Sequence, residues 1–439
     1  MKIHHRTLQN NNAISEIVGS VILLLIAVLS FSAIYLYVFP LPGYVAESNV
    51  DIQGSVSGNY TELIHVGGET LQEYQIFVDG ETEGTRYNWK MGEKRPLFSN
   101  ETGKTIDVMV VSKTAEGGSE IVFEGEFDNP LYNEPPTQNT PSFYSSLGQD
   151  TVGEDLICYK NGADSQPEGD LVTYIYTWYK KDHYSDDEYN SFADIYLPGN
   201  TNSSVVTKDY SNPKNNGQVE NANWTKNGQV GGGYSFDGDG SINCDLPELF
   251  NNLSNNEFSI TTWIQSSDIT ENYNYVLEAC DDAQNYVQIF QNNSRIYAGV
   301  CSNGEKSILK SDVLNSSEWY HIGITWDGTS LELYVNGSES NLSGGELISS
   351  GDKQKLVIGQ KTDGSSGWNG VIDEIYVYDT VVSEDHIYQQ YLCTRTGSSN
   401  VSVIVSEETT VDNEWYCDVT PNDGHQDGET KREDKIRIK

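Results

Sequence analysis

Ser317–Ser340 reads SEWYHIGITWDGTSLELYVNGSES. Tyr320, Ile322, Ile324 and Trp326 occupy every second position, and Leu331, Leu333 and Val335 resume the same rhythm. A period of two puts one set of side chains on one face of a strand. Asp327-Gly328 and Asn336-Gly337 are turn pairs that supply the positive φ angles of tight hairpins. The stretch therefore predicts antiparallel strands that bury one face.

Similar blocks surround it. GGGYSFDGDGSINCDLP and FSITTWIQ lie upstream, and WNGVIDEIYVYDTVVSEDHIYQQYL lies downstream, where Ser383–Leu392 predicts a short closing helix. In this order, the four blocks resemble the concanavalin A-like laminin-G (LamG) jelly roll. KDYSNPKNNGQV resembles that family's opening D-x-S-x-x-x-N-x-G segment through Asp209, Ser211, Asn215 and Gly217. The resemblance implies a jelly-roll sandwich over 193–394.

The flanks predict a second sandwich, split by that insert into 143–192 and 395–439. Tyr174, Tyr176 and Trp178 alternate on one strand, and strands are expected around Val403, Trp415–Cys417 and Ile436. The Cys…Trp…Cys order resembles an immunoglobulin-like sandwich. The run Trp415–Gly424 (W-x-C-x-V-T-P-x-D-G) resembles an Ig-like module of archaeal surface proteins. That likeness favours a Cys158–Cys417 disulfide over pairing in sequence order, which would join Cys158 to Cys244. Within the jelly roll, Cys280 is then expected to pair with Cys301 across neighbouring strands, and Cys244 with Cys393. No C-x-x-C occurs among the six cysteines, which argues against zinc ribbons and thioredoxin chemistry.

At the other end, Ile17–Phe39 is a 23-residue run without a charge. As a helix it is long enough to cross a bilayer core of roughly 30 Å. Lys2 and Arg6 precede it, so the bulk of the chain is expected outside the cell. Glu16 is open to two readings: an interfacial acid at a helix start, or a partner for a freed amino terminus. NNN-AISEIVGSVILLLIAV resembles the amino-terminal segment of archaeal type IV pilins. The resemblance implies a leader over 1–12, cleavage by prepilin peptidase between Asn12 and Ala13, and a helix over 13–40 that anchors the chain and then packs into a filament with other subunits. Residues 45–127 predict a small β-domain. Its ELIHVGGETLQEYQIFVDG resembles the pilin domain that follows such helices, with His65 as a turn residue. Four of the twelve prolines fall in 128–142, which predicts an extended linker. The expected fold class is thus mainly β with one N-terminal transmembrane or filament-core helix, a small pilin β-domain, an Ig-like sandwich and a LamG-like jelly roll.

Composition narrows the function. The 439 residues carry a net charge of −39, which argues against a nucleic-acid partner and suits solubility, salt tolerance and cation binding at a surface. Ten N-x-[ST] sequons, at Asn59, Asn100, Asn202, Asn223, Asn252, Asn292, Asn315, Asn336, Asn341 and Asn400, fit an exported, glycosylated chain.

Jelly rolls of this family often hold Ca²⁺ at one edge. The resemblance carries that role to Asp209, Asp373 and Asp237; the plain alternative is that each closes a turn or faces solvent. Trp368 in GSSGWNG is a candidate sugar-stacking residue, or else a cover for the sandwich edge. The fold class also contains glycan hydrolases, which need two carboxylates about 5–9 Å apart. Asp373 and Glu374 are adjacent, so on a regular strand they point to opposite faces, and no E-x-D-x-x-E, G-x-S-x-G, H-E-x-x-H or P-loop string occurs. The expectation is a non-enzymatic adhesive subunit that binds glycans or cell-surface proteins. A single-span surface protein that never polymerises is the alternative, and a tethered glycan hydrolase a remote one.

Overall fold

The computed structural model describes residues 50–439 except 58–59, 98–104, 115–116, 130–131, 162–170, 183–188, 212–214, 246, 271 and 349–353. The leader, Asn12, Ala13, Glu16 and the apolar run all lie outside the described residues, as do Asn59 and Asn100. Among the described residues no helix is long and apolar enough to cross a membrane. The chain divides into two compact units, 1–132 and 133–439.

In the first unit, Val50–Ser57, Tyr60–Gly68 and Lys94–Leu97 form one sheet. Leu71–Val78 sits between Glu81–Trp89 and Thr105–Lys113 in another, with Ser119–Asp128 at its edge. Tyr74, Ile76 and Val78 alternate along their strand into the core, together with Trp89 and Val110. His65 lies within the strand Tyr60–Gly68 rather than in a turn; it is fully buried and its Nε2 bonds the Glu69 carbonyl at 2.8 Å.

The second unit holds two sandwiches. The larger pairs an eight-stranded with a nine-stranded antiparallel sheet. Asn369–Tyr378 and Trp319–Trp326 flank Phe258–Ser266 in the first sheet. Asn272–Asp282, Asn285–Asn292 and Arg295–Ser302 run side by side in the second. Ile322, Ile324, Trp326, Leu331 and Leu333 enter the core between the sheets, as their period required. Asn336 (φ 53°) and Gly337 (φ 74°) take the left-handed geometry of the expected hairpin. The closing helix spans Glu384–Thr394, and the Ser383 side chain caps it by accepting from His386 N at 3.1 Å.

The smaller sandwich joins strands from both sides of the insert. Thr173–Lys181 pairs with Glu414–Asn422 in one sheet. Leu156–Tyr159 lies between Ser142–Ser145 and Val401–Ile404 in the other. Tyr174, Tyr176, Trp178 and Trp415 fill the space between them. Residues 133–141, within the expected extended linker, run against the strand Glu414–Asn422. Gln138 is buried there and donates to the Val419 carbonyl at 2.5 Å. Phe192 ties the two sandwiches together, with its ring 5.3 Å from both Trp415 and Tyr378.

The thiols separate the expected disulfides. Cys158 and Cys417 are buried on opposite sheets of the smaller sandwich, within hydrogen-bonding reach of each other. Cys280 and Cys301 do not sit on neighbouring strands, because both are laterally paired with Tyr286, one on each side. Two strand spacings put their backbones about 9–10 Å apart, beyond the 4.4–6.8 Å that a disulfide spans. Cys244 lies in the core between the jelly-roll sheets, whereas Cys393 is on the helix outside it, so that pair is not formed either.

Candidate functional site

Asp373 and Glu374 mark the most unusual polar site of the jelly roll. Across from their strand, Thr261 pairs with Tyr376 and Trp263 with Asp373, so one extra residue is accommodated on the Asp373 strand. This is a β-bulge, and Glu374 carries its strain at φ 52°. The bulge breaks the alternation expected from adjacency. Both carboxyls lie outside the inter-sheet core, where Ile372 and Ile375 point inward instead.

Both acids are sealed from water. Asp373 Oδ2 accepts from Val230 N at 2.9 Å, and Oδ1 accepts from Glu374 N at 2.9 Å. A Cβ on Gly228 would come within 2.8 Å of Asp373 Oδ2, so a glycine is needed for the Gly228–Gly233 loop to close over it. Glu374 Oε2 accepts from the Tyr196 hydroxyl at 3.0 Å and the Tyr376 hydroxyl at 3.3 Å, and those two rings stack 4.0 Å apart. Burial pushes the Glu374 carboxyl up to about 8. Burial, and then the neighbouring Glu374 charge, hold Asp373 well above the usual carboxylate range. Beside Glu374 a cavity of about 60 Å³ opens between the two sandwiches. It has room for a few waters but not for a sugar ring.

The other expected site residues are dispersed. Asp209 is fully buried, and its Oδ1 accepts from Tyr196 N (3.0 Å), Ser211 N (2.9 Å) and the Ser211 hydroxyl (2.6 Å). Asp237 is exposed and pairs with Asn369, four positions along the strand from Asp373. Among the described residues no group of three or more His, Cys, Asp or Glu side chains could hold a metal ion. Calcium wants six to eight oxygens. These aspartates are committed to backbone amides or stand apart, so they do not fit the ion. Trp368 is a correction: it is fully buried in the jelly-roll core and presents no face to a ligand. Its Gly-Ser flanks read as an exposed loop, but its amide donates to the Gly359 carbonyl at 2.7 Å and draws the ring inward. Of the sequons, Asn202, Asn223, Asn315 and Asn400 are exposed. Asn292, Asn336 and Asn341 are half-buried, and nothing is described of the Asn252 side chain.

The outer face of the nine-stranded sheet carries Tyr275, Tyr286, Phe290 and Tyr297, and the chain covers part of it with its own segment. Gly344–Ile348 crosses the face, with Ile348 O accepting from Gln288 Nε2 at 2.8 Å and Leu347 O accepting from Lys306 Nζ at 3.2 Å. Gly299 makes room for it, since a Cβ there would lie 2.1 Å from Leu347 Cδ2. Below, Glu278 is fully buried and accepts from Gln288 Nε2 at 2.6 Å and Thr362 N at 2.7 Å. Nothing in the sequence pattern signalled this strap.

On the smaller sandwich, a groove of about 600 Å³ is open to solvent above Tyr189 and Tyr416. Tyr416 stacks on Tyr179 at 4.7 Å, and the Arg432 guanidinium sits 3.9 Å from its ring centre. One sequence signal points there: five of the 26 Lys and Arg residues fall in the last nine positions.

Comparison with known proteins bears on the jelly roll. Residues 236–388 match the Laminin_G_3 family, described as the concanavalin A-like lectin/glucanases superfamily. The mouse protein "Sushi, von Willebrand factor type A, EGF and pentraxin domain-containing protein 1" is 31% identical over 142 residues, which cover 28% of this chain and 4% of that protein. Domain 4 of AbnA, an extracellular arabinanase from Geobacillus stearothermophilus, solved with arabinotriose, is 13% identical with a TM-score of 0.35, over 45% of this chain and 96% of that one. The binding domain of botulinum neurotoxin serotype D is 16% identical with a TM-score of 0.34, over 46% of this chain and 50% of that one. Residues 236–388 are therefore a concanavalin A-like jelly-roll domain set within a longer, mainly β chain.

Proposed function

We propose that this chain is a cell-surface binding protein whose lectin-like head engages glycans, and that it is not an enzyme. The observation that carries this reading is the burial of Asp373 and Glu374 in a jelly roll of the lectin/glucanase class. A glycosidase pair must flank a scissile bond in a cleft. Here one acid is closed under the Gly228–Gly233 loop and the other is held by two tyrosine hydroxyls. The sequence supports display outside the cell through its uncharged run at 17–39, the basic residues before it and its many sequons. The finer form of the proposal is a type IV pilin-like subunit. Its leader is removed by prepilin peptidase, and its helix packs with other subunits into a filament. The support for that form is the AISEIVG string at the start of the apolar run.

The test is to probe a glycan array with the full-length chain in mild detergent and to assay hydrolysis of the same glycans. Saturable binding without cleavage is expected. Cleavage of a bound glycan, or no binding to any glycan, would overturn the reading.

A further inference from the structure

We propose that the groove over Tyr189 and Tyr416, on the smaller sandwich, is the sugar-binding site, and that it takes a neutral, hydroxyl-rich glycan. This rests on the glycan-binding reading above but places the contact outside the jelly roll. Three observations carry it.

The first is shape and size. The groove is about 600 Å³, within the range that holds one or two sugar rings. The cavity beside Glu374 is a tenth of that, and the outer face of the nine-stranded sheet is crossed by Gly344–Ile348.

The second is the chemistry of the lining. A pyranose has apolar C–H faces and a rim of hydroxyls, so it needs an aromatic surface ringed by donors and acceptors. Tyr416 is held between Tyr179 on one face and the Arg432 guanidinium on the other, and Tyr189 leans against it with ring centres 4.8 Å apart and planes inclined at 60°, so the Tyr189 ring and the Tyr416 edge line the groove. Around them stand Arg432, bonded to Asp418 at 2.5 and 2.7 Å, and Lys435, bonded to Glu414 at 2.6 Å. Glu414 also accepts from the Tyr189 hydroxyl at 2.6 Å, which fixes that ring. Unused N–H groups and carboxylate lone pairs at these bridges can meet sugar hydroxyls.

The third is charge. In a chain of net charge −39, Arg432 and Lys435 are matched one for one by Asp418 and Glu414. Glu433, which accepts from Phe143 N at 2.5 Å, and Asp434 also line the groove and add negative charge to it. Among the described lining residues no cation is left unpaired for a carboxylate or sulfate, and an anionic sugar would meet the field of the whole chain. A neutral ligand replaces water there without separating a charge pair.

The experiment compares the full-length chain with Tyr189→Ala, Tyr416→Ala and Arg432→Gln. Each is applied to an array of neutral hexose and N-acetylhexosamine oligosaccharides, with sialylated and uronate-containing glycans alongside. Melting temperature is recorded for each, since Tyr416 also packs on Tyr179; Tyr189, at the rim, serves if Tyr416→Ala fails to fold. The expected result is binding of neutral glycans by the wild type, weakened at least tenfold in Tyr189→Ala and in Arg432→Gln with unchanged melting. Neutral binding that survives these substitutions would overturn the groove while leaving a glycan-binding head elsewhere. Binding confined to anionic glycans would overturn the neutral assignment. No binding by the wild type would remove the glycan reading as a whole, and this site with it.

Discussion

Cys158 and Cys417 face each other across the core of the smaller sandwich, although the whole jelly roll lies between them in the chain. In an exported protein this pair is expected to oxidise. Closing so long a loop stabilises by about 5–6 kcal/mol in the chain-entropy model. Non-reducing peptide mapping of the native protein should recover a Cys158–Cys417 crosslink, and Cys417→Ser should lower the melting temperature markedly. A reduced pair in protein taken from the cell exterior would contradict this.

The other buried thiols behave differently. Tyr286 stands between Cys280 and Cys301, so unfolding without a reductant should expose both to alkylation while Cys158 and Cys417 stay protected. A Cys280–Cys301 crosslink in the native protein would contradict the strand order.

How far the chain was legible depends on whether local pattern or distant packing decided the outcome. The alternation from Tyr320 to Val335, the two Gly hairpins and the Ser383 cap are local, and the structure follows them. The Cys280–Cys301 expectation failed because the strand Asn285–Asn292 intervenes, and a chain with two thiols does not reveal how many strands separate them. Trp368 looked exposed because Gly and Ser surround it, yet its burial depends on the distant Gly359 turn. The bulge at Glu374 has no signature in VIDEIY; it is set by the mismatch with Thr261–Trp263. The groove over Tyr416 joins residues from four separate segments, and only its C-terminal cations are grouped in sequence.

His321 gives the head an acid sensitivity. It is buried between Trp263 and the helix, and burial lowers its ring to about 3, from an ordinary value of 6.5. As pH falls, the unfolded chain takes up the proton first. The stability that His321 contributes is therefore complete above pH 6.5 and is lost as pH falls toward 3. By pH 5 the loss is about 2 kcal/mol. His386 is shifted in the same direction, again chiefly by burial. His321→Gln should flatten the fall in stability between pH 7 and pH 5, measured by urea unfolding. An unchanged slope would show that the ring is not held neutral.

Gly299 and Leu347 should be energetically coupled. Gly299→Ala forces its Cβ against the Leu347 side chain, at a cost of about 1–3 kcal/mol for overpacking. Leu347→Ala frees that space, so in the double variant the glycine substitution should cost much less. Strict additivity in the cycle would mean that the strap does not rest on Gly299.

Surface display through the amino-terminal segment is tested most directly by the first residue of the native protein. Peptide mass spectrometry on shed surface material and on membranes reads it. A start at Ala13 in shed material is predicted, with the leader removed and the apolar helix kept for assembly. Intact residues 1–12, found in membranes alone, would contradict a processed, filament-forming subunit and leave a tethered binding protein.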